Sequence, residues 1–480
     1  MNVCIVGGGV TGALAALYMQ KHCPEWTVTL LENPKIKALP VGENMHRHTF
    51  KFFCDIVDQP WRTTMRELID LNCTIKLAGL FTGWSDIVDP FYVALFTENS
   101  NEDIMKMHNA WLAANKDRPL TEYYDMVYGD VMHHVRDFTI PNDYMERAPE
   151  LCCVTVDASQ ISGYLKNKFK GNIIYGHVVG FERDSENLKS VRLEDGSTIE
   201  ADLFIDCTGF HRVIIKEFAK FKPIESSMVN AAYAGHAKYA NDKIPVYTDL
   251  ATMNHGWMFR IPMQHRCGIG YVFNRDYIDM DVMEHEHELY GGESIGEKTM
   301  LRWESVQTST PWSNNVLSLG IAAFWNEPFL GTGLEVSCRS IINFVKLFKE
   351  AGYAGRDHYN DWFTVQADLI NTRILSMYHY CKDNHTDFWK HVHEKSSKTD
   401  IEERMLYLSN GGFSEMLKQH PNLMWSQRDW EVTSIMLGID GFVPDKKVDN
   451  DTLLWAQNKW KQNLVKKPST PTNDFYAKLK

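Results

Sequence analysis

The chain opens on a short apolar run, Asn2 to Val6, that breaks at once on glycines. The next stretch, VTGALAALYMQKH, carries apolar residues at helical spacing, and WTVTLLEN is a second apolar run that ends at Glu32. Strand, turn, helix and strand within about thirty residues predict a βαβ unit. Farther on, TIKLAGLFTGW (Thr74 to Trp84) alternates enough to predict a strand, while EDIMKMHNAWLAANKD and DASQISGYLKNKF predict helices. The stretch from Asn172 to Phe210 predicts a β-meander with a hairpin turn at Asp195-Gly196, then a buried strand that rejoins the first sheet. Beyond about Arg356 the pattern turns helical, and VKKPSTPTND has the Pro/Ser/Thr composition of a loose tail, from about residue 466.

These elements predict an α/β fold in the mixed (α+β) sense, with mixed sheets in the middle and a mainly helical C-terminal part. The expected division is 1–355, a nucleotide-binding domain with an interleaved substrate-side β-sheet, and 356–480, a helical region completing the substrate side. A chain of 480 residues is long enough to bury a large core.

Charge and cysteine usage narrow the partners. With 50 basic against 62 acidic side chains the net charge is -12, which argues against nucleic acid and for small molecules. The 10 cysteines contain no C-x-x-C, and the adjacent Cys152-Cys153 pair cannot easily bridge to itself, so neither a zinc ribbon nor a disulfide scaffold is indicated. No charged leader precedes MNVCIVGGGV and no run of about 18 apolar residues occurs, so a cytoplasmic protein without a membrane partner is expected. Self-association is left open.

The first glycines form Gly7-x-Gly9-x-x-Gly12. Gly7 permits a tight turn, Gly9 lets the backbone approach a pyrophosphate, Gly12 lets helix and strand pack, and the helix N-terminus with Val10 and Thr11 supplies amide donors. Glu32, twenty residues after Gly12 at a strand end, is placed to accept hydrogen bonds from a ribose. The motif alone is common to FAD and NAD. The segment VRLEDGSTIEADLFIDCTGF resembles the second FAD-contacting segment of flavoprotein monooxygenases and their relatives, and no second G-x-G-x-x-G is present to hold NAD(P)H.

Six segments then resemble, in order, the flavin-dependent halogenases of the tryptophan-halogenase type. LPVGEN (Leu39 to Asn44) is similar to the family's V-G-E segment. TIKLAGLFTGW is similar to its lysine-bearing strand, here with Lys76, Phe81 and Trp84. DLFIDCTGF is close to D-C-[ST]-G-F, GWMFRIP to W-x-W-x-I-P with Phe259 for the second Trp, EPFLGTG to E-P-L-E-S-T-G, and HYCKDNHTDFW to a late H-Y segment ending in F-W.

The resemblance implies a glutathione-reductase/monooxygenase-type FAD-binding fold and a two-component enzyme. Reduced flavin from a separate reductase meets O2, halide becomes hypohalous acid, and this travels through a tunnel to a lysine that presents electrophilic halogen to an aromatic substrate. It implies Lys76 as the catalytic residue and FAD contacts at Gly7, Gly9, Val10, Thr11, Gly12, Glu32, Gly42, Glu43, Asp206, Gly209, Leu330 and Gly333. It also implies a halide site at the Thr332 and Gly333 amides, and a tunnel wall of Trp257, Phe259, Ile261 and Pro262. A lysine within an apolar strand is partly desolvated, which lowers its pKa and frees its amine; the plainer reading is a lysine that snorkels outward. The family's tunnel-end glutamate falls at Leu330, with Gly331 in place of serine. That departure points away from free tryptophan and toward an electron-rich phenol, indole or related heteroaromatic.

Other features are weaker. MEHEHELY, with His285 and His287, and the histidines near HYCKDNHTDFWKHVHE lack closed metal-ligand spacing, so no metal is expected. Trp425, Trp430 and Trp455 suit either a substrate pocket or a helical core. The competing functions are a flavin monooxygenase that inserts oxygen, which product mass separates from a halogenase, and a non-catalytic FAD-binding protein, whose mark is missing catalytic groups.

Overall fold

The structure is a computed structural model that describes residues 1–36, 42–95, 99–114, 120–146, 153–239, 241, 243–382, 385–395, 398–439 and 448–480. The Leu39, Pro40 and Val41 portion of the V-G-E segment lies outside these residues, as does Cys152.

The first strand, Asn2–Val6, sits inside a six-stranded sheet. It pairs in parallel with Thr27–Glu32 on one side and Leu203–Asp206 on the other. Asn172–Tyr175 and Val316–Ser318 extend the sheet in parallel, and Trp312–Ser313 closes it as an antiparallel edge. Leu203–Asp206 is buried at every position, the mark of a strand covered on both faces. The predicted meander appears as Val178–Asp184, Asn187–Leu193 and Thr198–Glu200, with Gly196 at φ +87° in the turn.

A second, seven-stranded sheet carries the other half of the molecule. Its order runs Ser294–Arg302, Ala231–Ala237, Cys267–Phe273, Gly256–Pro262, Tyr247–Met253, Ala78–Thr82 and Phe91–Ala94. All neighbours are antiparallel except Tyr247–Met253 with Ala78–Thr82. A small sheet of Gly42–Met45, Val154–Asp157 and Thr74–Ile75 joins the two halves.

The stretch from Thr74 to Trp84 is therefore two strands and a junction. Thr74–Ile75 pairs with the small sheet, Ala78–Thr82 with the large one, and Lys76 and Leu77 lie between them. The junction is held by backbone bonds, Lys76 N–H to the Cys153 carbonyl at 2.9 Å and Leu77 N–H to the Val246 carbonyl at 2.6 Å. The change of partner interrupts the ladder and lets one side chain leave the regular alternation.

From Arg356 onward the chain is mainly helical, beginning with Arg356–His379. The end corrects the expectation of a loose tail from 466. Ser469–Pro471 pairs antiparallel with Thr139–Pro141, and Thr472–Leu479 is a helix that buries Phe475 and Tyr476. Composition misled because two aromatic residues supply enough apolar surface to anchor a short polar segment. The Tyr476 hydroxyl accepts a hydrogen bond from the Ile75 N–H at 2.8 Å, so the last helix braces the strand next to Lys76. Among the described residues no helix is long and apolar enough to cross a membrane.

Candidate active site

The two large sheets and the C-terminal helices enclose a cavity of about 1060 Å³. This exceeds the roughly 300–1,000 Å³ of a pocket for one small ligand. The glycine loop enters it through Gly9, Val10 and Thr11. A Cβ at Gly7 would lie 2.4 Å from the Cys207 carbonyl oxygen, and one at Gly12 would lie 1.9 Å from that of Gly7; one at Gly9 would meet nothing within 4 Å. Gly7 and Gly12 thus serve turn and packing, while Gly9 opens on free space where a pyrophosphate can approach. The residues present fit a dinucleotide. Gly42, Glu43 and Gly209 line the same cavity.

Two expected flavin contacts are engaged elsewhere. Asp206 is fully buried; one carboxylate oxygen accepts from the Thr208 N–H and hydroxyl, the other from the N–H groups of Ile214 and Ile215. It does not line the cavity, and four donors leave it little capacity for a ligand. It holds the turn that presents Gly209 (φ +61°). Glu32 also lies off the cavity wall, with one oxygen 2.6 Å from Lys166 Nζ and the other without a protein partner. A ribose there shares the carboxylate with Lys166.

The EPFLGTG segment forms one rim. Pro328 leads into a short turn, Phe329–Gly331, and then the helix Gly333–Ala351, whose first-turn amides lack intrahelical acceptors. Leu330, Thr332 and Gly333 all line the cavity. Leu330 takes φ +63° and Gly331 φ +61°, so the chain turns through the left-handed region twice in succession. Below them Glu335 is held at about 2: burial alone would raise it, but the His46 hydrogen bond and the Arg339 charge outweigh that.

Trp257, Phe259 and Ile261 alternate along Gly256–Pro262 and project into the cavity, as period-two geometry requires. Pro262 falls on the opposite phase, off the cavity, where its carbonyl accepts from the Thr74 hydroxyl at 2.7 Å. It therefore leaves the predicted wall. Two glycines shape the rest: a Cβ at Gly270 would lie 2.2 Å from the Phe259 ring and one at Gly42 2.5 Å from Ile261 Cγ2. Phe259 and Ile261 each lie against a position without a side chain. Trp257 also packs 5.0 Å from Phe329 and edge-on to the buried Trp84.

Lys76 is only 5% exposed and lines this cavity. Among the described residues its ammonium has no ion pair. Burial pushes it down to about 8, with the nearby Cys153 thiol opposing weakly. Part of the ammonium is therefore neutral at physiological pH.

Sequence reasoning quoted Glu327 within its motif but gave it no role. Its carboxyl is 4% exposed and borders the cavity; one oxygen accepts from the Trp257 indole N–H at 3.2 Å and the Tyr378 hydroxyl at 3.0 Å, and the other has no partner. Burial pushes it up to about 8, against both hydrogen bonds, so it is mostly protonated at neutral pH. The three tryptophans divide: Trp425 lines the cavity, Trp430 is fully buried core, and Trp455 lies beside Lys106 at 5.5 Å. His287 is buried against Tyr233, while His285 is exposed on the same helix.

The tryptophan halogenase family model matches residues 2–452. The chain belongs to the tryptophan halogenase family. It is a flavin-dependent halogenase, an oxidoreductase that uses FADH2, O2 and halide, needs a separate flavin reductase and acts on an aromatic substrate. This halogenase is 26% identical over 442 residues to the tryptophan 6-halogenase SttH of Streptomyces toxytricini, covering 84% of this chain and 83% of that one. It is 25% identical over 440 residues to the tryptophan 7-halogenase KtzQ of Kutzneria sp. (strain 744), covering 84% and 77%. A tryptophan halogenase structure from Shewanella frigidimarina NCIMB 400 superposes with a TM-score of 0.85 at 16% identity, over 100% of this chain and 97% of that one.

Proposed function

We propose that this halogenase acts on an electron-rich phenol, indole or related heteroaromatic, with Lys76 as the residue that presents electrophilic halogen. The observation that carries the reading is a buried lysine, without an ion pair among the described residues, on the wall of the same cavity that Gly9 and the Thr332-Gly333 turn enter.

Gly9, Val10 and Thr11 would hold the pyrophosphate of FAD, with Gly42, Glu43, Gly209, Leu330 and Gly333 around the rest of it. Bound and reduced, FAD supplies with O2 the two-electron oxidation of halide to hypohalous acid. The Thr332 and Gly333 amides, at a helix start, suit a halide, since amide donors hold an anion without a charged side chain. Trp257, Phe259 and Ile261 give the cavity an apolar wall that keeps water and organic substrate from the flavin side. At Lys76 the neutral amine takes halogen from hypohalous acid with release of water, and passes it to the ring as the ring proton returns to the amine. Burial favours this step by raising the neutral fraction. Leu330, where the family carries a glutamate, leaves Lys76 without that carboxylate, so the ring itself must be activated.

The test is incubation with a flavin reductase, NADH, FAD and each halide in turn over a panel of aromatics, read by mass spectrometry. Halogenated phenols or indoles are expected, none without halide. Oxygen insertion with every halide, or halogenation retained by Lys76→Ala with FAD bound, would overturn the proposal.

A further inference from the structure

The wall of the cavity formed by the C-terminal helices carries two arginines, Arg373 and Arg428. Arg373, on the helix Arg356–His379, lines the cavity at 8% exposure. Its guanidinium stacks over the rings of Trp425 at 4.8 Å and Trp430 at 5.3 Å. Its Nη1 has no hydrogen-bond partner, and no carboxylate lies within ion-pair distance of it among the described residues. Arg428 borders the same space. The acidic side chain whose charge reaches both is Asp429, and its carboxylate already caps the helix Gln427–Leu437, accepting from the Ser426 N–H and hydroxyl at 2.7 Å each. Glu431 also reaches Arg428 but does not line the cavity. Asp429, held at the helix cap through one oxygen, and Glu431 face Arg428, while Arg373 keeps an unbonded Nη1 on the cavity wall.

A buried guanidinium without a hydrogen-bonded partner is costly to the fold. Stacking on two indoles returns part of that cost but satisfies none of the five N–H donors. A planar fork of donors facing a cavity matches an oxyanion.

We infer that the aromatic substrate carries an anionic group, a carboxylate, sulfonate or phosphate without a compensating ammonium, seated against Arg373 and Arg428. The inference rests on the halogenase reading for its choice of an aromatic ligand. It narrows the substrate class to aromatic acids.

The test is isothermal titration of the full-length chain, without reductase or NADH, with indolepropionate, its primary amide and tryptamine at one ionic strength. The acid is expected to bind at least about tenfold tighter than the amide, since a hydrogen bond to a charged group is worth that much, and tryptamine is expected to bind weakest. Arg373→Met should reduce the affinity of the acid and leave the amide unchanged, and Arg373→Met with Arg428→Met should bring the acid down to the amide, which merely structural arginines would not do. Sulfonate and phosphate on the same ring rank the oxyanions. An amide or tryptamine that binds as tightly as the acid would overturn the inference, as would an acid preference undiminished in a folded Arg373→Met. If that variant does not fold, the wild-type ratio of acid to amide decides alone. Because binding is read without turnover, an acid that binds but is never halogenated counts against the proposed reaction, and a chain that halogenates aromatics without regard to charge counts against this inference only.

Discussion

Replacing Lys76 with methionine should make the protein more stable and inactive at once. Lys76 is 5% exposed and unpaired among the described residues, and burial lowers its ammonium from 10.5 to about 8. A displacement of that size corresponds to a penalty of about 3 kcal/mol for the charged form. The sign follows from proton counting. Well below pH 8 folded and unfolded chains both carry the proton and the penalty is fully present. Between about 8 and 10.5 the unfolded chain binds more protons than the folded one, so stability rises with pH and the penalty fades. Methionine has a similar length and no charge, so Lys76→Met removes the penalty without opening a large cavity. The assay is thermal unfolding of wild type and variant from pH 7 to pH 10, alongside halogenation and FAD binding. The variant should melt a few degrees higher at pH 7, converge with wild type toward pH 10, and bind FAD without giving product. A variant that is less stable at pH 7, or a difference independent of pH, would refute the argument that this lysine is held in a costly site for its chemistry.

Glu327→Gln should preserve the fold. The folded carboxyl titrates near 8 against an ordinary 4.5, so the native state holds the extra proton between those values and wild-type stability falls as pH rises through them; the variant's relative stability should grow over that window and level off above it, as read by urea midpoints. Gly12→Ala places a Cβ 1.9 Å from a backbone oxygen, and a visible-absorbance assay of FAD retention should show loss of the cofactor together with a lower melting temperature. Deleting 469–480 removes the buried Phe475 and Tyr476 and the acceptor for the Ile75 N–H, a loss of at least about 3 kcal/mol, and should lower the halogenation rate as well as the melting temperature.

How much could be read from sequence depended on range. The glycine loop, the meander and its return strand, and the aromatic alternation of GWMFRIP are local patterns, and the structure places them as expected. Pro262 could have been excluded by the same alternation that selected Trp257, Phe259 and Ile261, because successive residues of a strand face opposite ways. The partners of Asp206 and Glu32, Ile214 with Ile215 and Lys166, show in no local pattern because the fold brings them together in three dimensions. Arg373 gives no signal, since an arginine in a helical stretch reads as a solvated face until the helix Gln427–Leu437 and the turn before it bring Trp430 and Trp425 over it. The break at Lys76 was hidden because both flanking strands are apolar and only their partners differ.

The bond between Tyr476 and Ile75 spans 401 positions of sequence. A ribosome has therefore added 401 residues after Ile75 before the backbone beside Lys76 meets this acceptor. The lysine's surroundings are completed late in synthesis, so a chain that stops short of Tyr476 lacks this brace.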